Sequence, residues 1–248
     1  MFSKFAAQLI KKIQKPLRFS TAKVKTQSDY RLEIAASSDT DNILNFVEEH
    51  FLKEEVLTRT LIPEQKPKVV QDIYHERLSH GLSVVARSLC DNSIVGVSIN
   101  DKSCKLDGVK LRKMSHKTKD CNLKKLLRVW AIIHIDSNLH ESLCQDELFN
   151  IGVVSVAEKH WGKNIGIEMV KRSLELGSEK NFEFARVIAT NDNIRKIAEH
   201  FEMTMHWSAL YTDIMNRDKY APRAVPEPPH CQASVFFKKL STMKWLWT

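Results

Sequence analysis

Apolar positions along the chain change period several times, and each change marks an element. Residues 30–36 alternate as a strand, whereas 40–52 (TDNILNFVEEHFL) space their apolar groups helically behind Asp39 or Thr40 as a cap. A helix is predicted around 67–79, then two β-rich runs, 82–89 and 93–100, whose intervening Asp91 and Asn92 suggest a hairpin. Residues 101–122 are polar and lysine-rich and read as a surface loop. Helical spacing returns over 122–140, followed by strand 148–156, helix 165–180, strand 184–189, helix 193–201 and strand 203–212. Four of the seven prolines fall in 222–229, which enforces an extended connection before a last strand at 233–240. No internal repeat is visible. The order predicts one mixed α+β domain over about 29–240 with a short tail, 241–248.

Composition adds little, but charge adds a good deal. At 43% hydrophobic and 27% charged residues the chain has the make-up of an ordinary globular protein. The net charge of +8 is uneven: 1–28 hold seven Lys/Arg and no acid, and 101–128 hold ten Lys/Arg against three acids. The remainder is close to neutral or acidic, which excludes a protein basic throughout. The acid-free N-terminal segment places Phe2, Phe5, Leu9 and Ile13 on one helical face with lysines opposite. It reads as a mitochondrial transit peptide for the matrix, the alternatives being a disordered basic tail and a cytoplasmic protein. A chain beginning after residue 28 carries +1. No run of about 18 uncharged apolar residues predicts a spanning helix. Five scattered cysteines without CxxC pairing argue against a disulfide framework or a zinc site, and the histidines show no metal spacing.

The sharpest local feature is VVSVAEKHWGKNIGIEMVKRSLELG (153–177), a buried-type strand running through a glycine-containing turn into an amphipathic helix. Gly162 and Gly166 lie four apart although the chain holds only seven glycines. Such a turn serves either as a simple helix cap or as a pyrophosphate cradle, in which unpaired N–H groups and the helix dipole meet the anion. Lys163 adds a mobile positive charge.

Here the chain resembles the GNAT superfamily of N-acetyltransferases, and their insect arylalkylamine (dopamine) N-acetyltransferase branch in particular. Trp161-Gly162-Lys163-Asn164-Ile165-Gly166 stands where the superfamily has Arg/Gln-x-x-Gly-x-Gly/Ala, with Trp for Arg and Asn for the middle Gly. HFLKEEVL (50–57), HGLSVVARSLCDNSIVGVSIN (80–100) and PEPPH (226–230) are similar to segments of the insect branch. The resemblance spans about 29–240 and implies a mixed central sheet of about seven strands flanked by helices. It implies acetyl-CoA as acetyl donor and a small primary amine as acceptor, by direct attack in a ternary complex without metal. The cofactor would be held by Val154, Ser155 and Val156, by Trp161, Gly162, Lys163, Asn164, Ile165, Gly166 and Ile167, and by Asn191.

Acetyl transfer to an amine needs a polarised carbonyl, a base for an amine whose pKa is near 10, and a tolerated thiolate. By resemblance Glu55 is the base, Thr190 stands at a serine implicated in proton transfer, and Tyr211 corresponds to a tyrosine near the thiolate. Ile194 replaces a second serine. From the residues alone, Glu54 and Glu55 equally read as solvated glutamates at a helix end, and Tyr211 as a strand residue packed in the core. Trp130 and His134, one helical turn apart, read as core or as the lining of an amine pocket. Two other classes are kept open: a binding module that retains the fold, and a nucleic-acid binder through 101–128. The latter segment has no aromatic platform before Trp130, so no specific nucleic acid is expected; it reads as a solvated loop that helps steer an anionic cofactor. A monomer is expected.

Overall fold

The computed structural model describes residues 29–62, 68–217 and 224–241. The basic segment 1–28 and the tail residues Trp245 and Trp247 lie outside the described residues. The chain begins with β1 (Tyr30–Ile34), a 3-10 turn (Ser37–Asp39), α1 (Thr40–Phe46) and a π-helical turn (Val47–Phe51). Then come α2 (Val56–Leu61), α3 (Lys68–Leu78), and the hairpin of β2 (Val84–Ser88) and β3 (Ile94–Cys104). Three helices follow, α4 (Asp107–Lys117), α5 (Cys121–Ser137) and α6 (Leu139–Ser142). β4 (Glu147–Val156), a 3-10 turn (Glu158–His160), α7 (Ile165–Glu179), β5 (Phe184–Ala189) and α8 (Asp192–His200) form the next stretch. β6 (Thr204–Leu210), α9 (Tyr211–Asn216) and β7 (Gln232–Lys239) complete it.

The seven strands lie in the order β1-β2-β3-β4-β5-β7-β6. β4 and β5 run parallel, and the other neighbours antiparallel. Helices α7 and α8 cover one face, where Val170, Leu174 and Ala198 pack on Phe149, Ile151 and Val187. Helices α1, α2 and α5 cover the other, where Ile43, Leu57, Leu123 and Ile133 bury the opposite set of side chains. The expected mixed sheet flanked by helices is therefore present.

Three local expectations are corrected. Residues 101–122 are not a loop: β3 continues to Cys104, α4 occupies Asp107–Lys117, and α5 begins at Cys121. Only Val109, Leu111 and Met114 are large apolar groups in α4, so its periodicity is faint; Leu111 and Met114 pack on the core, and a glycine sets how closely the helix approaches α5. A Cβ on Gly108 would stand 2.7 Å from Ile135 Cγ1 and 3.3 Å from the Ala131 carbonyl, so only Gly lets α4 cross α5 this closely. The strand expected over 203–212 ends at Leu210, and Tyr211 heads a helix instead. Finally, the segment after Glu55 forms α2, a short helix that sequence periodicity did not reveal.

The feature that opens a site is in β4. Its register with β3 passes from Ile99↔Val153 to Asn100↔Ile151, leaving Gly152 as a one-residue bulge. Its pairing with β5 ends at the same level, with Ile151↔Val187, although β4 continues to Val156 and β5 to Ala189. A glycine in mid-strand thus marks the point where two parallel strands part.

Candidate active site

Beyond the parting of β4 and β5 lies a cleft of about 550 Å³. It is walled by Val154–Val156, by residues 160–167, and by Asn191 on the β5 side. All eleven cofactor residues expected from the sequence line it. Ala157 N–H donates to Val95 O of β3, while the Val156 carbonyl accepts from the Trp161 indole at 2.7 Å on the other side. Strand alternation then turns the N–H groups of Val154 and Val156 away from β3 and into the opening.

The turn into α7 keeps a phosphate-cradle geometry despite its altered residues. Gly162 (φ 77°) and Asn164 (φ 60°) are both left-handed, a conformation Asn tolerates better than most residues. The first intrahelical bond from this cap is Glu168 N–H to Asn164 O, 3.0 Å, so the N–H groups of Ile165, Gly166 and Ile167 have no partner within the helix. The Asn164 side chain makes no cap bond that would occupy them. A Cβ at Gly166 would meet only ordinary contacts, at 3.8–3.9 Å from Ile197, Val154 and Val156, and one at Gly162 would meet nothing. Burial, then Lys163 and Lys159, push the His160 imidazole below its ordinary range, as expected where positive charge gathers. The residues present fit a bound pyrophosphate. Lys163 itself lies 3.6 Å from the Asp29 carboxylate, and Trp161 is 56% exposed on the cleft wall.

The three residues expected to handle protons come together across 156 residues of sequence. Glu55 is the N-cap of α2 and only 4% exposed. Its Oε2 accepts the Thr58 N–H at 2.7 Å and the Thr58 hydroxyl at 2.8 Å; its Oε1 accepts the Thr190 hydroxyl at 3.0 Å. A carboxylate offers about four acceptor positions, so one is open. Tyr211 donates its hydroxyl to the Thr190 carbonyl at 2.7 Å and is buried in the core behind β5, away from the cleft wall. Burial, and secondarily the Glu55 charge, push its phenol well above the ordinary value. Glu54, by contrast, faces solvent 3.8 Å from Arg59, and Ile194 lines the cleft without a hydroxyl. Asn191 caps α8 through Ile194 N–H at 3.0 Å.

A second, smaller cavity of about 60 Å³ also reaches Glu55. Glu55 and Phe51 belong to both walls, so the two spaces meet at the carboxylate. Trp130 and His134 do line this cavity, together with Tyr74 and Ile188. Sequence reasoning missed its polar members, Arg77, Asn150 and Arg186. Arg186 carried a signal, a charge inside the apolar run FARVIA; Gly152, in LFNIGVVSV, carried another. Arg186 is 3% exposed and grips Asn150 Oδ1 through Nε and Nη2 at 3.1 and 3.0 Å. Burial lowers its pKa to about 10, against the pull of Asp107 and Asp101. Burial, then Arg186, holds His134 well below its ordinary range, hence neutral.

No family model and no curated protein matches the chain. Solved structures do. The chain superposes on a mosquito arylalkylamine N-acetyltransferase like 5b with a TM-score of 0.79 at 15% identity, covering 85% of this chain and 100% of that one. The GNAT acetyltransferase fold is the fold of this chain. Arylalkylamine N-acetyltransferase 2 from Aedes aegypti superposes on this GNAT fold with a TM-score of 0.78 at 22% identity, covering 86% and 100%. A Drosophila melanogaster polyamine N-acetyltransferase, described as forming N-acetylagmatine, gives 0.77 at 15%, with the same coverage. Among the described residues no group of three or more His, Cys, Asp or Glu is placed to hold a metal, and no helix is long and apolar enough to cross a membrane.

Proposed function

We propose that the protein is an acetyl-CoA-dependent N-acetyltransferase acting on a small primary amine. The observation that carries this reading is the meeting of two cavities at Glu55, one with a pyrophosphate-type turn and the other smaller, with an aromatic wall and a few polar groups. In the reaction the neutral amine nitrogen attacks the thioester carbonyl, the C–S bond breaks with its electron pair leaving on sulfur as the thiolate, and the acetyl group passes to nitrogen, whose second proton is released and ends on the thiolate to give free thiol. The open acceptor position of Glu55 takes the ammonium proton directly or through a water, and the Thr190 hydroxyl holds the carboxylate in place. The N–H groups of Val154 and Val156 face the position where carbonyl charge develops. Among the described residues no cysteine lines the cleft, which supports direct attack in a ternary complex over a covalent thioester route. The aromatic wall of Phe51, Tyr74 and Trp130 suits the apolar carbons of the acceptor. We also propose that residues 1–28 direct the protein to the mitochondrial matrix; mass spectrometry of the mature N-terminus tests this, and retention of Met1–Lys25 in the matrix form overturns cleavage.

The test of activity is release of free thiol from acetyl-CoA in the presence of a panel of primary amines, with acetyl-CoA binding measured calorimetrically. Amine-dependent thiol release is the expected result. Absence of cofactor binding at millimolar concentration ends the proposal.

A further inference from the structure

The smaller cavity at Glu55 carries an uneven set of charges. Its lining holds one carboxylate, Glu55, with Thr58, and two guanidinium groups, Arg77 and Arg186, with the neutral His134. Arg77 reaches the lining because Gly152 has no side chain: a Cβ there would stand 2.8 Å from Arg77 Nη1. Its Nε lies 3.5 Å from Asp101 Oδ2. Arg186 has no such partner. Among the described residues its hydrogen-bond partners are neutral: Asn150, held through two donors, and His134 Nδ1 at a long 3.5 Å. Asp101 is engaged by Asn150 Nδ2 at 2.6 Å, and Asp107 by Ser103, Cys104 and the Cys104 thiol. Asp107 and Asp101 pull on the Arg186 charge from a distance, but neither hydrogen-bonds it, so a guanidinium 97% removed from water lines the cavity with no carboxylate in direct contact, and an anion there would complete it.

Resting on the reading of this cavity as the acceptor site, we infer that the acceptor amine carries a carboxylate, which Arg186 and Arg77 bind while the amine end meets Glu55. Planar, two-pronged pairing is what guanidinium and carboxylate groups do best. The volume sets the size. At about 10–15 Å³ per water position, about 60 Å³ holds roughly five heavy atoms, the size of glycine or β-alanine. A polyamine would bring a second cation against the two arginines, and a plain alkylamine would offer Arg186 no carboxylate. The acceptor class is therefore a compact amino acid.

Pairs of amines differing only by the carboxylate decide the matter: glycine and methylamine, β-alanine and ethylamine, γ-aminobutyrate and propylamine, with tyrosine and tyramine as the aromatic pair. Dissociation constants are measured on the full chain by ligand-observed NMR without acetyl donor, and thiol release is then followed with acetyl-CoA. The acid of at least one compact pair is expected to bind about tenfold or more tightly than its partner, the scale of a hydrogen-bonded charge. Arg186→Gln should erase that ratio and Arg77→Gln should reduce it. Equal or weaker binding of the acid in every pair, including the preference of tyramine over tyrosine, overturns the inference, as does no binding of any acid at millimolar concentration. The wild-type comparison stands even if a variant does not fold. Acid binding without thiol release for any acceptor would instead sustain the carboxylate site and defeat the acetyltransferase reading.

Discussion

Glu55 has two tasks whose energetic signatures separate. As N-cap it satisfies the Thr58 N–H, and its other oxygen keeps an open acceptor position where the two cavities meet. Gln at position 55 keeps a carbonyl acceptor for Thr58 but cannot take a proton. Glu55→Gln should therefore cost about 1–2 kcal/mol in urea unfolding while turnover falls by about 10²-fold or more; unchanged turnover with a cofactor-saturated enzyme would remove Glu55 from the chemistry. Tyr211 is the opposite case. Its hydroxyl is committed to the Thr190 carbonyl, and its phenol is held neutral by burial. Tyr211→Phe should lose about 1 kcal/mol of stability and leave kcat within about threefold, since it acts by positioning Thr190. Loss of the alkaline limb of the pH–rate profile in this variant would instead show the phenol donating a proton to the leaving thiolate. Glu55 and Thr190 were legible by resemblance, and their hydrogen bond was not, because 135 residues separate them.

At the scale of elements, the strand that builds the cleft was easy to find and its function was not. Alternating apolar residues identify β4, but the divergence from β5 depends on a bulge at Gly152 and on where the pairing stops. Helix α4 shows the converse failure. Its lysines mask a buried glycine face, and a polar run was expected to be a loop. Gly108→Val should push α4 off α5 and destabilise the fold by about 1–3 kcal/mol, read as a lower urea midpoint. Because Ile135 and His134 are the groups it would strike, the same variant should weaken acceptor binding. A midpoint unchanged from wild type would mean that the α4–α5 crossing carries little stability. Three lysines of this basic stretch are drawn into ion pairs, Lys102 with Glu147, Lys105 with Asp146 and Lys110 with Asp107. Part of the sequence's second positive cluster is thus neutralised in place.

Across the whole molecule, two buried imidazoles beside Arg186 set an acid limit on stability. His134 and His140 both have lowered pKa values, burial being the first cause and Arg186 the next. In the unfolded chain they take up protons as the pH falls through about 6.5. In the folded protein they resist, so the unfolded state binds more protons and stability falls with falling pH. The unfolding midpoint should be level above pH 7 and decline from about pH 6.5 to 5, before carboxylates titrate. His134→Asn should flatten part of this slope, each proton being worth at most about 1.4 kcal/mol per pH unit. A midpoint independent of pH over that range would show that these imidazoles are protonated in the folded state.

By itself the sequence determined the strands and most of the helices, because periodicity and caps act over a few residues. It also identified the glycine–asparagine turn before α7, whose left-handed positions leave local traces in residue type. Resemblance supplied the fold and pointed to Glu55. Only the tertiary structure decided where β4 leaves β5, that Glu55 lines two cavities, and that Arg77 and Arg186 line the smaller one. Those facts depend on close approach between side chains from α2, α3, α5, β4 and β5. The burial of a charge is a property of its surroundings, and no window of sequence contains them.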